Sequence, residues 1–136
     1  MTNDPIEQAE HSIHHVHELI LRVFTDADGM GAASIEPLMQ AFAEDFSMLG
    51  ISAIPLNRPE VEQLFRGAVG AKKGLGIEIS DLHTLWQQDD RLAVSYVETH
   101  RLDGVEHSRA SVAILSAQPA GVKWLYLHET PLSREA

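Results

Sequence analysis

The sequence predicts an α+β protein in which three helices precede an antiparallel sheet. Two observations carry this: apolar residues recur at steps of three and four through the first half of the chain, and from Ile77 onward the period changes to two. A third is the even spacing of the turn signals "QQDDR", "LDGV" and "QPAG", which cut the second half into strand-length pieces. At 136 residues, one domain spanning 1-136 is expected.

The first helix is read from Pro5 to Thr25, where Ile6, Ala9, Ile13, Val16, Ile20 and Phe24 form one stripe and Asp4-Pro5 supplies a cap and a first position. "TDADGMGAAS" is a turn segment, after which Ser34 caps a second helix over "IEPLMQAFAEDF". A short strand is expected in "FSMLGIS". A third helix follows over "NRPEVEQLFRGAVGAKK", with Gly74 beyond its end. Four antiparallel strands complete the chain.

Asp103-Gly104 is the strongest turn signal, because a two-residue type I′ turn needs positive φ at both central positions. It sets Leu102 against Val105, His100 against His107, Glu98 against Arg109, Tyr96 against Ser111 and Val94 against Ala113. An Asp89-Asp90 turn and the "QPAG" loop extend the same arithmetic, giving inward rows Asp81-Glu98-Arg109-Thr130, His83-Tyr96-Ser111-His128, Leu85-Val94-Ala113-Tyr126 and Gln87-Leu92-Leu115-Trp124. The opposite face would carry Leu82, Thr84, Trp86, Ala93, Val97, Ala110, Val112, Ile114, Leu125 and Leu127, too apolar to meet water. A homodimer through this outer sheet face is therefore expected.

Composition narrows the partners. A formal net charge of −10 with no basic run beyond Lys72-Lys73 gives no footprint for nucleic acid or an anionic membrane. No apolar run reaches the roughly 20 residues that span a bilayer, and no signal sequence opens the chain, so the cytoplasm is the expected compartment. The absence of cysteine excludes disulfides, thiol catalysis and zinc-thiolate sites. In "HSIHHVH", His11 with His15 and His14 with Glu18 stand at i, i+4, but "HELIL" lacks the second histidine of a zinc helix. "DADGMGAASIEP" has Met30 and Pro37 where a calcium loop needs acceptors, and "GAVGAKKGLG" follows a helix, out of context for a phosphate loop. No metal and no cofactor is expected.

The order helix, helix, short strand, helix and four long strands resembles the nuclear-transport-factor-like (cystatin-like cone) superfamily. "FAEDFSMLG" leading to "RPEVEQLF", then "RLAVSYVETHRLDG", "SRASVAIL" and the closing "VKWLYLHET" carry the resemblance, which is nearest to the SnoaL-like and calcium/calmodulin-kinase association-type bacterial domains. It implies three helices packed in the concave face of a strongly curved, mainly antiparallel sheet, a cone with a pocket at one end, and a homodimer through the other face. It also implies that Arg109, Ser111 and His128 point into the pocket. Ketosteroid isomerases of this fold need a carboxylate just after the first strand, where this chain has Met48, Leu49 and Gly50; the epoxide-hydrolase pattern is broken in "ETHRLD". Dehydratase-like members use paired histidines with Tyr and Asp, and His83, Tyr96 and His128 with Asp81 come nearest to that chemistry.

The expected catalytic residues are thus His128, His83 and Tyr96: imidazoles as general acid or base and a phenol to steady an oxyanion. Arg109, Ser111, Glu98, Tyr126, Trp124, Thr130 and Asp81 are the expected ligand-binding residues, with Glu98 and Arg109 as an orienting ion pair. Two functions stand side by side. One is a small-ligand-binding protein acting as isomerase, dehydratase, cyclase or hydrolase by general acid/base catalysis; the other is a non-catalytic dimerisation or regulatory module.

Overall fold

The computed structural model describes residues 4–132. Helix α1 (Pro5–Thr25) begins where the Asp4 side chain accepts a hydrogen bond from the Ile6 amide at 3.1 Å, and it ends at Asp26 in the left-handed region. Its buried stripe is Ala9, Ile13, Val16, Leu19 and Val23, with His17 buried among them. Among the described residues no helix is long and apolar enough to cross a membrane.

Two helices are shorter than their sequence suggests. A 3-10 turn (Ala32–Ser34) leads into α2 (Ile35–Gln40), and Ser34 makes no side-chain cap; its hydroxyl donates to the Met30 carbonyl instead. From Phe42 the chain is already strand β1 (Phe42–Leu49), so the helix expected over residues 35–46 stops half-way. Phe42 and Phe46 stand four apart, as on a helix, yet both are buried from a strand. Between the pairs Phe42/Trp124 and Ser47/Tyr126, β1 advances five residues while β6 advances two. That irregularity imitates helical spacing. Strand β2 (Pro55–Asn57), not expected from the sequence, pairs with β1, and α3 (Arg58–Arg66) starts on a full capping box between Asn57 and Glu60. α3 ends at Gly67, short of Lys73, and Gly70 at φ +71 donates its amide to Val23 at the end of α1. A left-handed glycine cannot continue a helix.

Strands β3 (Gly76–Gln88), β4 (Arg91–Leu102), β5 (Val105–Gln118) and β6 (Gly121–Pro131) complete one mixed, mostly antiparallel sheet of order β2-β1-β6-β5-β4-β3. α1 lies across β3, β4, β5 and β6 and closes the core over Trp124, Tyr96, Leu92, Val94 and Leu115. Asp103 and Gly104 have φ of 53° and 78°, as a type I′ turn needs, and every expected β4–β5 pair is present, including Glu98/Arg109 and Tyr96/Ser111.

The outer strands keep the expected register only near their turns. Gln87/Leu92 and Leu115/Trp124 pair as predicted; then bulges intervene. On β6 a bulge at Leu125 pairs Ile114 with Tyr126, Val112 with His128, Ala110 with Thr130 and Ser111 with Glu129. On β3 one irregularity at Leu85 sets Thr84 opposite Val94 and His83 opposite Ser95, and another at Asp81, φ +57, sets Ile79 opposite Glu98. One inserted residue exchanges the two faces of a strand. Leu82, Thr84 and Leu127 therefore turn inward, contrary to expectation, and His83, Leu85, Tyr126, His128 and Thr130 turn outward.

Candidate functional site

Beneath α1 lies a cavity of about 210 Å³, walled by apolar side chains that include Val16, Phe42, Phe65, Trp124 and Leu127. Its polar end is made by His17 from α1, Glu98 and His100 from β4, Arg109 from β5 and Glu129 from β6. Ile51, Ile54 and Leu64 form its rim and are about half exposed.

Glu98 is the fixed point of this end. It is 3% exposed; its Oε1 accepts from His17 Nε2 at 3.1 Å and its Oε2 from His100 Nε2 at 2.6 Å. Burial alone would raise its pKa, but the two imidazole hydrogen bonds and charges outweigh that and hold it well below the usual carboxylate range. His17 Nδ1 also meets an acceptor, the Ile13 carbonyl at 2.7 Å. An imidazole with acceptors at both nitrogens is satisfied only as the cation. Accordingly its pKa is raised: burial disfavours the charge, and the hydrogen bond and charge of Glu98 more than offset it.

Glu129 is the opposite case. Its side chain is 9% exposed, its Oε1 lies 3.7 Å from Arg109 Nη1, too long for a hydrogen bond, and a Cβ on Gly50 would stand 3.5 Å from that oxygen. Burial first, and the nearby Glu98 charge second, push its pKa up to about 7; Arg109 and His17 oppose this only in part. The cavity thus holds one locked carboxylate and one able to take and release a proton near neutral pH.

The expected site residues divide. Glu98, Arg109 and Trp124 line the cavity, Trp124 steadied by an indole hydrogen bond to Ser12 Oγ at 2.9 Å. Tyr96 and Ser111, opposed across β4 and β5, are buried just behind the wall; neither hydroxyl makes a well-formed hydrogen bond, and burial, then Glu98, raises the Tyr96 pKa far above normal. The other five are corrections. His83, His128 and Thr130 are exposed on the outer face, Tyr126 is there too with its hydroxyl 2.8 Å from His128 Nδ1, and Asp81 is exposed at its bulge. The bulges at Leu85, Asp81 and Leu125 are the cause. Glu98 and Arg109 are cross-strand neighbours but not an ion pair: α1 brings His17 to Glu98, and the β6 bulge brings Glu129 to Arg109.

Sequence reasoning missed His17, His100 and Glu129. His17 was findable, being four residues after Ile13 and three before Ile20 on the buried stripe. His100 shares the face of Glu98 by parity. Glu129 had no signal, since its direction depends on the bulge alone. Among the described residues, no three His, Asp or Glu side chains are arranged to hold a metal.

No family model and no curated protein matches the chain. Solved structures do. An NTF-2-like protein of unknown function from Pseudomonas aeruginosa is 29% identical, covers 93% of this chain and 99% of its own, and superposes with a TM-score of 0.85. A cystatin-like-fold protein of unknown function from Nostoc punctiforme is 12% identical, covers 92% of each chain and has a TM-score of 0.68. A protein from Streptomyces avermitilis, provisionally named a dehydratase of the NTF2-like family, is 17% identical over 91% of this chain and 99% of its own, with a TM-score of 0.65.

Proposed function

From the premise that the chain has the nuclear-transport-factor-2-like, cystatin-like fold, we propose that it binds a small, mostly apolar organic compound beneath α1 and acts on it by general acid–base catalysis. Glu129 is the proton acceptor. The observation that carries this is the unequal pair of carboxylates: Glu98 is held by two histidines, whereas Glu129 faces the same apolar cavity with no hydrogen bond of its own among the described residues. A carboxylate so placed can take a proton from a carbon beside a carbonyl, or from a hydroxyl or water. Arg109, which lines the same end of the cavity, is the donor for a developing oxyanion in this reading. Isomerisation, dehydration, cyclisation and hydrolysis all use such a transfer, and the provisional dehydratase name of the Streptomyces neighbour agrees with that range. At about 210 Å³ the cavity suits a compound smaller than the drug-sized ligands that fill pockets of roughly 300–1,000 Å³.

A thermal-shift screen of small carbonyl compounds, followed by mass spectrometry of hits in deuterated water, tests the reading. Hits should gain deuterium with the native protein, and Glu129→Gln should still bind them but stop the exchange. Ligands that exchange equally with both proteins would remove Glu129 from the chemistry; a screen without hits would favour the non-catalytic module.

We also propose a homodimer through the outer sheet face. Trp86, half exposed, and the partly buried Ala93, Val97, Val112 and Ile114 support it, though the bulges make the face more mixed than an unbroken register would. Sedimentation at micromolar concentration should give a dimer, and Ile114→Arg a monomer, because the variant would bury an unpaired charge. A native monomer ends the idea.

A further inference from the structure

The cavity beneath α1 has a neighbour. A second hollow, of about 470 Å³, lies at the end of the sheet where β4 turns into β5, and Ile51, His100 and Arg109 line both spaces. There the inward faces of β4 and β5 oppose His100 to His107, Arg109 follows on β5, and Lys72 enters from the turns after α3. Leu102 and Val105 give it apolar sides. The chain has 20 Asp and Glu against 10 Lys and Arg, yet among the described residues that line this hollow one carboxylate, Asp103, stands with two permanent cations and two imidazoles. Lys72 is in no ion pair among the described residues; its ammonium stands 5.1 Å over the ring of Phe24, itself a wall of the first cavity. Of the carboxylates next door, Glu98 is already satisfied by two histidines and Glu129 faces Arg109.

Resting on the ligand-binding reading above, we propose that the two spaces receive one ligand: an organic anion whose apolar body lies beneath α1 and whose carboxylate or phosphate group sits among Lys72, His107 and Arg109. The shared wall of His100 and Arg109 then falls at the junction of body and head, beside Glu129, so the anionic group would anchor the compound and set which of its bonds meets the base. A permanent cation with no ion pair among the described residues, in a chain of net charge −10, is what such an anchor needs.

Calorimetric titration with 1-octanol, octanoate and octyl phosphate tests this. At least one anion should bind about tenfold more tightly than the alcohol, the scale of one charge-assisted hydrogen bond, and the better anion identifies the head group. Lys72→Met keeps the alkyl stem over Phe24 and should bring the anion to the affinity of the alcohol. Lys73→Met changes the net charge equally from outside the hollow and should leave the preference intact. Equal binding of all three compounds, or a preference that survives both Lys72→Met and His107→Gln, overturns the inference and leaves the apolar cavity as a binding site. No binding of any of the three overturns both.

Discussion

Glu98→Ala should lower the free energy of unfolding by about 3–5 kcal/mol at pH 7, the usual cost of removing one partner from a buried charge pair. The loss would come from His17, which keeps the Ile13 carbonyl but faces an empty space with its second nitrogen, and from His100, whose Nε2 has no other acceptor among the described residues. Urea denaturation measures it. A double-mutant cycle between Glu98→Gln and His17→Gln should give a coupling above about 1 kcal/mol. The same cycle between Glu98 and Arg109 should give less, because these two are neighbours by register and not by contact. If the coupling is larger with Arg109 than with His17, the hydrogen-bond assignment is wrong.

Stability should also fall as pH rises from about 4.5 to about 7, and Glu129 should cause most of the fall. Its pKa goes from the ordinary 4.5 to about 7 on folding, so within that interval the folded chain keeps a proton that the unfolded chain releases. The contribution is full below the unfolded pKa and gone above the folded one, on the order of 3 kcal/mol across the window. His17, also raised, adds in the same direction as pH passes its folded value; Glu98, lowered, acts only in acid. Guanidinium melts at intervals between pH 4.5 and 8 should be much flatter for Glu129→Gln, which is then the more stable protein at pH 8. Equal slopes in the two proteins would mean that Glu129 is an ordinary carboxylate, and the proposed base would be lost with it.

Elements whose rule is local were legible. α1 follows from one unbroken stripe and the Asp4-Pro5 start, and the β4–β5 register follows from the backbone demand of Asp103-Gly104. Glu98, Arg109 and Trp124 reach the cavity because that register, and the part of β6 before Leu125, are undisturbed. What failed lies beyond a bulge. In "WLYLHET" alternate positions are apolar in either phase from Trp124 to Leu127, so hydrophobicity does not say whether His128 or Glu129 faces inward. The structure decides it through the packing of Leu127 into the core. Phe42 and Phe46 mislead similarly, since a strand irregularity and a helical turn bring the same two rings to one side.

The Leu125 bulge gives the last strand an unusual kind of adjustability. Deleting Leu125 would straighten the strand and keep Leu127 and Glu129 on the inner wall, whereas pairing Leu125 in regular alternation, with no residue lost, would exchange the acid for the His128 imidazole, with Thr130 following and Leu127 leaving the core. Two proteins of this architecture with near-identical closing segments would therefore present different reagents to their ligands if one strand carried the bulge and the other did not. Comparing such sequences column by column would conceal the difference, and the pairing of the strand with β5 would expose it. For design, it makes strand register a handle on chemistry, separate from the choice of amino acids.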